Sequence, residues 1–451
     1  MTWISRRDLL QALAGAGGLS LLSGCGLRSG KVAPVSGPAN ASGAPVATPV
    51  RPHYIVRISL DGGFDSVMTV DAKDPATAGA LDTGYLADER LKGALRLYGP
   101  LMGGLLRHDE DLCLVHGVRY NTVAHETGEG ILRAGRQRHG ASSPPFGDMA
   151  AQTLPGGAPI AHLHIQTGPA DESAHPLDML LLPGNPAARV MPPTGGLSID
   201  PVTVAMLVGD ERPLFETPAW FDELQSVRIE EARRLLGSRP DELAAHEERL
   251  RQAGYLQRLM SSAPRATTLR DSPLGPGLAL AFHALRHNHA RFITVRSPRV
   301  WLDTHTNNIA LQSARTRPIF NDIGAFVDML KREHNAFGPL FEQTTIVIAS
   351  EMGRFPKLNM AQGKDHWPEN SWILLGRGIR KGVTVGATDE RFRGVSVNYL
   401  TGSLQGDARR LMEIDALFST VLHLAGGNPV AQGYERDSVL QCILSSAGDP
   451  S

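Results

Sequence analysis

Three short stretches of the chain set acids beside imidazoles: Asp303-Thr304-His305, Asp365-His366 and His125-Glu126. Two further carboxylates, Asp61 and Glu351, come directly after runs of strand-forming residues. Carboxylate oxygens and imidazole nitrogens are the donors that zinc and manganese use, and carboxylates also suit calcium. A cation among such donors would cancel their mutual repulsion. It could also polarise a phosphate-type ester and make a nucleophile more acidic. A lone Asp-His pair is usually a surface loop. The recurrence of such pairs after several strands is what raises a divalent-metal site as the expectation.

Strands and helices must bring these residues together. Tyr54–Leu60, Leu112–Val118, Ala290–Val295, Thr344–Ser350 and Trp372–Leu375 read as strands. Thr344–Ser350 is a continuous β-branched run, expected of a strand buried on both faces. Helical stretches lie between them. Leu278–His289 precedes a strand, Pro318–His334 has one-sided apolar spacing, and Glu413–Leu424 is a similar candidate near the end. Ala219–Met260 is rich in Glu, Arg, Leu and Ala and breaks near Gly237-Ser238-Arg239-Pro240. It reads as a helical insertion over about 218–262. Alternating strands and helices imply an α/β fold with a mainly parallel sheet and helices on both faces. Ligands of such sheets collect beyond the carboxyl ends of the strands, where the acids and histidines above are expected.

Composition removes several other functions. Lys+Arg at 45 against Asp+Glu at 46 leaves a net charge of -1, so no nucleic-acid partner is expected. Three cysteines cannot form a disulfide scaffold, and Cys113 and Cys442, set in apolar runs, read as packing residues. Asp61-Gly62-Gly63 does not continue into GxGxxG, and no P-loop, GxSxG, HExxH or CxxC is present. Gly62-Gly63 either simply let the chain turn or keep the wall beside Asp61 low for a ligand.

The first 25 residues read as an address. Arg6-Arg7 precede a short run of Leu, Ala and Gly too brief to span a bilayer. Ser5-Arg6-Arg7-Asp8-Leu9-Leu10 resembles a twin-arginine (Tat) signal, and Leu22-Ser23-Gly24-Cys25 resembles a lipoprotein cleavage box. The resemblance implies export through the Tat machinery and a membrane tether through a lipid on Cys25. Residues 26–52, rich in Pro, Ala, Gly and Ser, read as a flexible linker ahead of one α/β domain over 53–451.

The order Asp61-Gly62-Gly63, Asp303-Thr304-His305, Ser350-Glu351-Met352-Gly353-Arg354 and Gly363-Lys364-Asp365-His366 resembles a large bacterial family of Tat-exported proteins of unknown function. That family is related to sulfatases within the alkaline-phosphatase-like superfamily, and the similarity spans about Tyr54 to Gly426. The resemblance implies metal ligands at Asp61, Asp303, His305, Glu351, Asp365 and His366. Glu351-Met352 stands where sulfatases carry Asp-His, which puts a two-metal site in doubt. Counting back ten residues from Gly135-Arg136 lands on His125, where sulfatases carry a Cys or Ser nucleophile. His125 is read as a further metal ligand. General acid/base work and a phosphohistidine-like intermediate are its alternatives, with Ser66, Thr122 and Thr127 as nearby hydroxyls. Arg354 and Lys364 are candidates to hold ester oxygens. The expected function is metal-assisted hydrolysis of a small anionic ester, sulfate or phosphate. The rival is an inactive relative that binds a protein partner.

Overall fold

The computed structural model describes residues 50–445 except 75–83, 86–88, 141–142, 157, 168–196, 200–220, 241–242, 245–246, 248–267 and 406–410. Arg6, Arg7, Cys25, most of the 26–52 linker and most of the 241–262 part of the helical stretch lie outside the described residues.

Eight strands build one sheet: β1 (Tyr54–Ser59), β2 (Cys113–Arg119), β3 (Ile160–Gln166), β4 (Leu197–Ile199), β5 (Ala290–Arg296), β6 (Thr344–Ala349), β7 (Glu369–Gly376) and β8 (Thr384–Val385). Their spatial order is β8-β2-β7-β6-β1-β5-β3-β4. β1 pairs in parallel with β6 and β5, β3 pairs in parallel with β5 and β4, and β8 with β2. β7 is reversed and pairs antiparallel with both β6 and β2. The sheet is therefore mixed but mostly parallel, as the alternation of strands and helices implied.

The central strands are buried on both faces, so apolar side chains point alternately into two cores. Tyr54, Val56 and Ile58 of β1 face one core with Ile346 and Ile348 of β6, while Ile55, Val347 and Ala349 face the other. The first core is closed by α4 (Gly275–Arg286) and α5 (Asn308–Arg332). The second is closed by α1 (His125–Ala134), α2 (Phe146–Ala151) and α6 (Ile414–Leu424). α3 (Phe221–Leu236) lies in the Glu/Arg-rich stretch. Ile348 is 0% exposed, and truncating it to Ala would cost about 2–5 kcal/mol through lost transfer energy and a cavity.

Two readings needed correction. α5 begins ten residues before Pro318 and carries that proline inside the helix, although proline usually marks a helix start. β3 (IAHLHIQ) is a strand that the sequence does not display, because His162 and His164 interrupt its apolar pattern.

Candidate metal centre

The site forms where the loops after β1, β5 and β6 meet the start of α1. The loop after β1 is pressed against the loop after β5: Leu302 N donates to Asp61 O at 2.9 Å, and Asp61 N donates to Ser297 Oγ at 2.8 Å. Gly62, at φ +104°, makes that approach possible, since a Cβ there would lie 2.5 Å from the backbone nitrogens of Leu302 and Asp303. Val300 has φ +47°, an uncommon strain for a β-branched residue, and its carbonyl receives the Asp303 N–H at 3.0 Å. A two-stranded ribbon, Gly353–Arg354 with His366–Trp367, brings His366 to the same place. Gly128 of α1 sits so close that a Cβ would lie 2.4 Å from the Glu351 carbonyl, so the helix start is seated on the loop after β6.

Three imidazoles converge on Asp303. His305 Nε2 lies 3.1 Å and His366 Nε2 3.2 Å from Asp303 Oδ1, and His125 Nε2 lies 3.4 Å from Oδ2. The two nitrogens of His305 and His366 are 2.9 Å apart. His125, Asp303 and His366 each present one ligand atom within 4.8 Å of the others.

The far side of each ring fixes its tautomer. His366 Nδ1 faces the Val123 carbonyl at 2.6 Å, His305 Nδ1 faces Asp365 Oδ1 at 3.1 Å, and His125 Nδ1 faces Glu351 Oε1 at 2.8 Å. Each of those partners only accepts, so each Nδ1 carries the hydrogen and each neutral ring turns a bare Nε2 lone pair inward. Lone pairs 2.9 Å apart beside a carboxylate need a proton or a cation between them. A tetrahedron with bonds of ~2.0 Å has edges of ~3.3 Å, close to these spacings. The donor set thus suits a divalent ion at His125, Asp303 and His366, with His305 Nε2 beside His366 and Asp303. His305 is 46% exposed, which leaves the group open to solvent on that side.

The electrostatics agree with a site that wants positive charge. The Asp303 and then the Glu351 carboxylates raise His125 to about 9, against the opposing effect of burial. Burial by itself would raise the Asp303 carboxyl, but His125 and the Arg354 guanidinium hold it well below the usual carboxylate range. Glu351 is also held low: burial pushes it up, and the hydrogen bonds from His125, Gly62 N and Ser350 Oγ outweigh that.

The remaining candidates take other places. Glu351 and Asp365 stand behind His125 and His305, each on the ring nitrogen that faces away from Asp303, where they orient the rings rather than join the converging group. Arg354 is buried; Nε donates to Gly62 O at 3.0 Å, Nη1 to Lys364 O at 3.0 Å and Nη2 to Asp303 Oδ1 at 2.5 Å. That corrects its assignment as an ester-oxygen holder: it anchors Asp303. Lys364 is likewise fully buried, its Nζ 2.8 Å from Asp65 Oδ2, and does not reach the open side. Met352 is buried in the core. Thr122 Oγ accepts from Ala124 N at 3.1 Å, shaping the turn before α1.

Asp61 departs furthest from expectation. Its Oδ2 accepts from Arg296 Nη2, and its carboxylate is not among the converging donors. Burial, only partly offset by Arg296, raises it to about 7. Arg296 also reaches Glu129 Oε2 at 3.4 Å. Neither Arg296 nor Glu129 was singled out from sequence. The signal was there: Arg296 directly follows the run Ala290–Val295 read as a strand and ends β5, and Glu129 lies one helical turn after His125.

Comparison with known proteins adds the following. A family described as "Protein of unknown function (DUF1501)" matches residues 228–435, which includes Asp303, His305 and His366 but neither Asp61 nor His125. No curated protein matches the sequence. Among solved structures, the chain is similar to Ps i-CgsB in complex with k-i-k-neocarrahexaose, at 10% identity and TM-score 0.40, covering 85% of this chain and 74% of that one. It is similar to a protein in the alkaline phosphatase superfamily from Vibrio parahaemolyticus at 9% identity and TM-score 0.36, covering 87% and 72%. The phosphonate monoester hydrolase SpPMH from Silicibacter pomeroyi follows at 11% identity and TM-score 0.37, covering 88% and 78%. The family match thus covers residues 228–435, and the likeness to these solved structures runs along most of the chain.

Proposed function

We propose that the protein is a metal-dependent hydrolase of a small sulfate or phosphate ester. One observation carries this reading: three imidazoles, each with its Nδ1–H already committed, turn Nε2 toward a single carboxylate. A divalent ion bound there would act as a Lewis acid on an ester oxygen and make water more acidic. The chain's own residues do the rest. Glu351 and the Val123 carbonyl hold two of the rings rigid, and Arg354 fixes Asp303 from the buried side. Asp365 does the same for His305 at the solvent edge. Zinc suits the three nitrogens best, with manganese next.

The test is elemental analysis of protein purified without chelators, followed by a panel of aryl phosphate and sulfate esters with the metal found. One ion per chain and turnover that disappears in His305→Ala and His366→Ala supports the assignment. Turnover unchanged in both variants overturns it. The second reading, an exported binding protein, is favoured by His125 standing where sulfatases have a hydroxyl or thiol. Tightly held metal with inactivity across the panel would select it.

Export and anchoring belong to the same reading, supported by Arg6-Arg7 and the Leu22–Cys25 box. Cys25→Ser should move the protein from the membrane fraction to the soluble one, and Arg6→Lys with Arg7→Lys should block export. An unchanged distribution in both cases would remove the tether.

A further inference from the structure

Beside the histidine group lies a second, separate gathering of charge. Asp61 is 1% exposed, and only one of its two oxygens has a partner, the Arg296 guanidinium; Oδ1 has none. The same Arg296 nitrogen, Nη2, that meets Asp61 Oδ2 also lies 3.4 Å from Glu129 Oε2. Oxygens from two carboxylates thus point at one atom, and a third carboxylate, buried Glu351, acts on both Asp61 and Arg296 through its charge. Arg299 Nε, 3.3 Å from Glu129 Oε1, holds that side chain from outside.

Burying acids together is unfavourable unless a cation compensates them, and a guanidinium is the one cation that cannot shed its charge. The orphaned oxygen of Asp61 is what a guanidinium leaves when it takes a position with room for more oxygen contacts than one N–H can make. We propose that Arg296 is a built-in substitute for a second metal ion: it occupies an oxygen-donor cation position made by Asp61 and Glu129 and thereby keeps the centre mononuclear. The inference rests on the reading of His125, His305, His366 and Asp303 as a metal centre. It also explains why Asp61, though placed at the first strand exit, contributes nothing to that centre.

The two positions differ in chemistry, which makes them separable. The histidine group suits zinc, whereas an all-oxygen position suits calcium or manganese. The experiment measures zinc and calcium per chain after equilibration with each ion, in the wild type, Arg296→Ala, Arg296→Lys, and Arg296→Ala combined with Asp61→Asn. The wild type and Arg296→Lys should hold one zinc and no calcium. Arg296→Ala should hold one zinc and gain one calcium, with its thermal midpoint rising as calcium is added. The double variant, with one oxygen donor neutralised and no stranded charge, should fold and lose the calcium again. A folded Arg296→Ala protein that holds one zinc and no calcium would overturn the proposal while leaving the metal centre intact. If Arg296→Ala folds only when calcium is present, the proposal stands. If it fails to fold with or without calcium while the double variant folds, the guanidinium is a charge clamp alone and the proposal falls. Absence of zinc from the wild type would instead overturn the function proposed above.

Discussion

Two histidine–carboxylate pairs in this molecule look alike in distance and behave oppositely. His162 Nδ1 donates to Asp148 Oδ1 at 2.7 Å, and His125 Nδ1 donates to Glu351 Oε1 at 2.8 Å. The other nitrogen separates them. His162 Nε2 accepts from the Thr294 hydroxyl at 2.9 Å inside the second core, so the ring is closed on both sides, and burial lowers its pKa. His125 Nε2 has no directed hydrogen bond and faces a second carboxylate, which with Glu351 lifts the ring to about 9. A carboxylate behind a histidine therefore does not make it functional. What the far nitrogen faces does.

Breaking the open group should cost most. His366→Ala or His305→Ala should lower metal affinity by well over the ~100-fold that changes behind a ligand produce, read by competition with a chelator. Next come the orienting acids. Glu351→Gln should weaken metal by ~10–100-fold, because His125 loses a charged partner, while exposed Asp365→Asn should fall at or below ~10-fold. Equal effects at the two acids would mean that burial does not set their importance.

On the other side of the comparison, His162→Leu should leave metal content unchanged and cost stability. It strands the Asp148 carboxylate and the Thr294 hydroxyl, each worth about 1–3 kcal/mol when buried without a partner. Denaturant titration checks this, and any loss of metal in that variant would erase the distinction between the two pairs.

Effects of pH need no substitution, and their signs differ. His53 and His283 are buried and held at about 3, chiefly by desolvation. The unfolded chain protonates them near ~6.5 while the folded chain does not, so each adds stability above that pH that is lost as pH falls from ~6.5 toward 3. The slope reaches about 1.4 kcal/mol per pH unit for each ring. His125 in metal-free protein goes the other way. Its raised folded value gives stability that is fully present below ~6.5 and is lost as pH rises through about 9. Urea midpoints of chelator-treated protein should therefore fall on both sides of a plateau near pH 6.5. Imidazole NMR should find His125 titrating above 8 and His162 silent there. A single pH response shared by both rings would contradict the contrast.

Much of the framework was legible because its signals are local. β6 is a β-branched and apolar run, buried throughout, and β1 and β5 are mostly apolar runs interrupted by an arginine, so all three are readable over a few neighbours, and α6 was located to within a residue. β3 was hidden because buried His162 sits in it with partners supplied by α2 and β5, which no window of sequence displays. The same limit applies at the site. His125, Asp303, His305 and His366 were picked out by type and by position after strands, and the fold does bring them together.

Their roles were a different matter. Glu351 and Asp365 differ from Asp303 only in which ring nitrogen they face, and Arg354 and Lys364 differ from solvent-facing bases only in being sealed behind the loops. The sequence alone determined which chemical groups stand at the ends of the strands, because strand periodicity and composition act over a few neighbours. Only the tertiary structure decided that Arg296, 235 positions from Asp61, pairs with that carboxylate apart from the histidine group. Coulomb attraction and desolvation depend on distance through space, and the chain does not write that distance down.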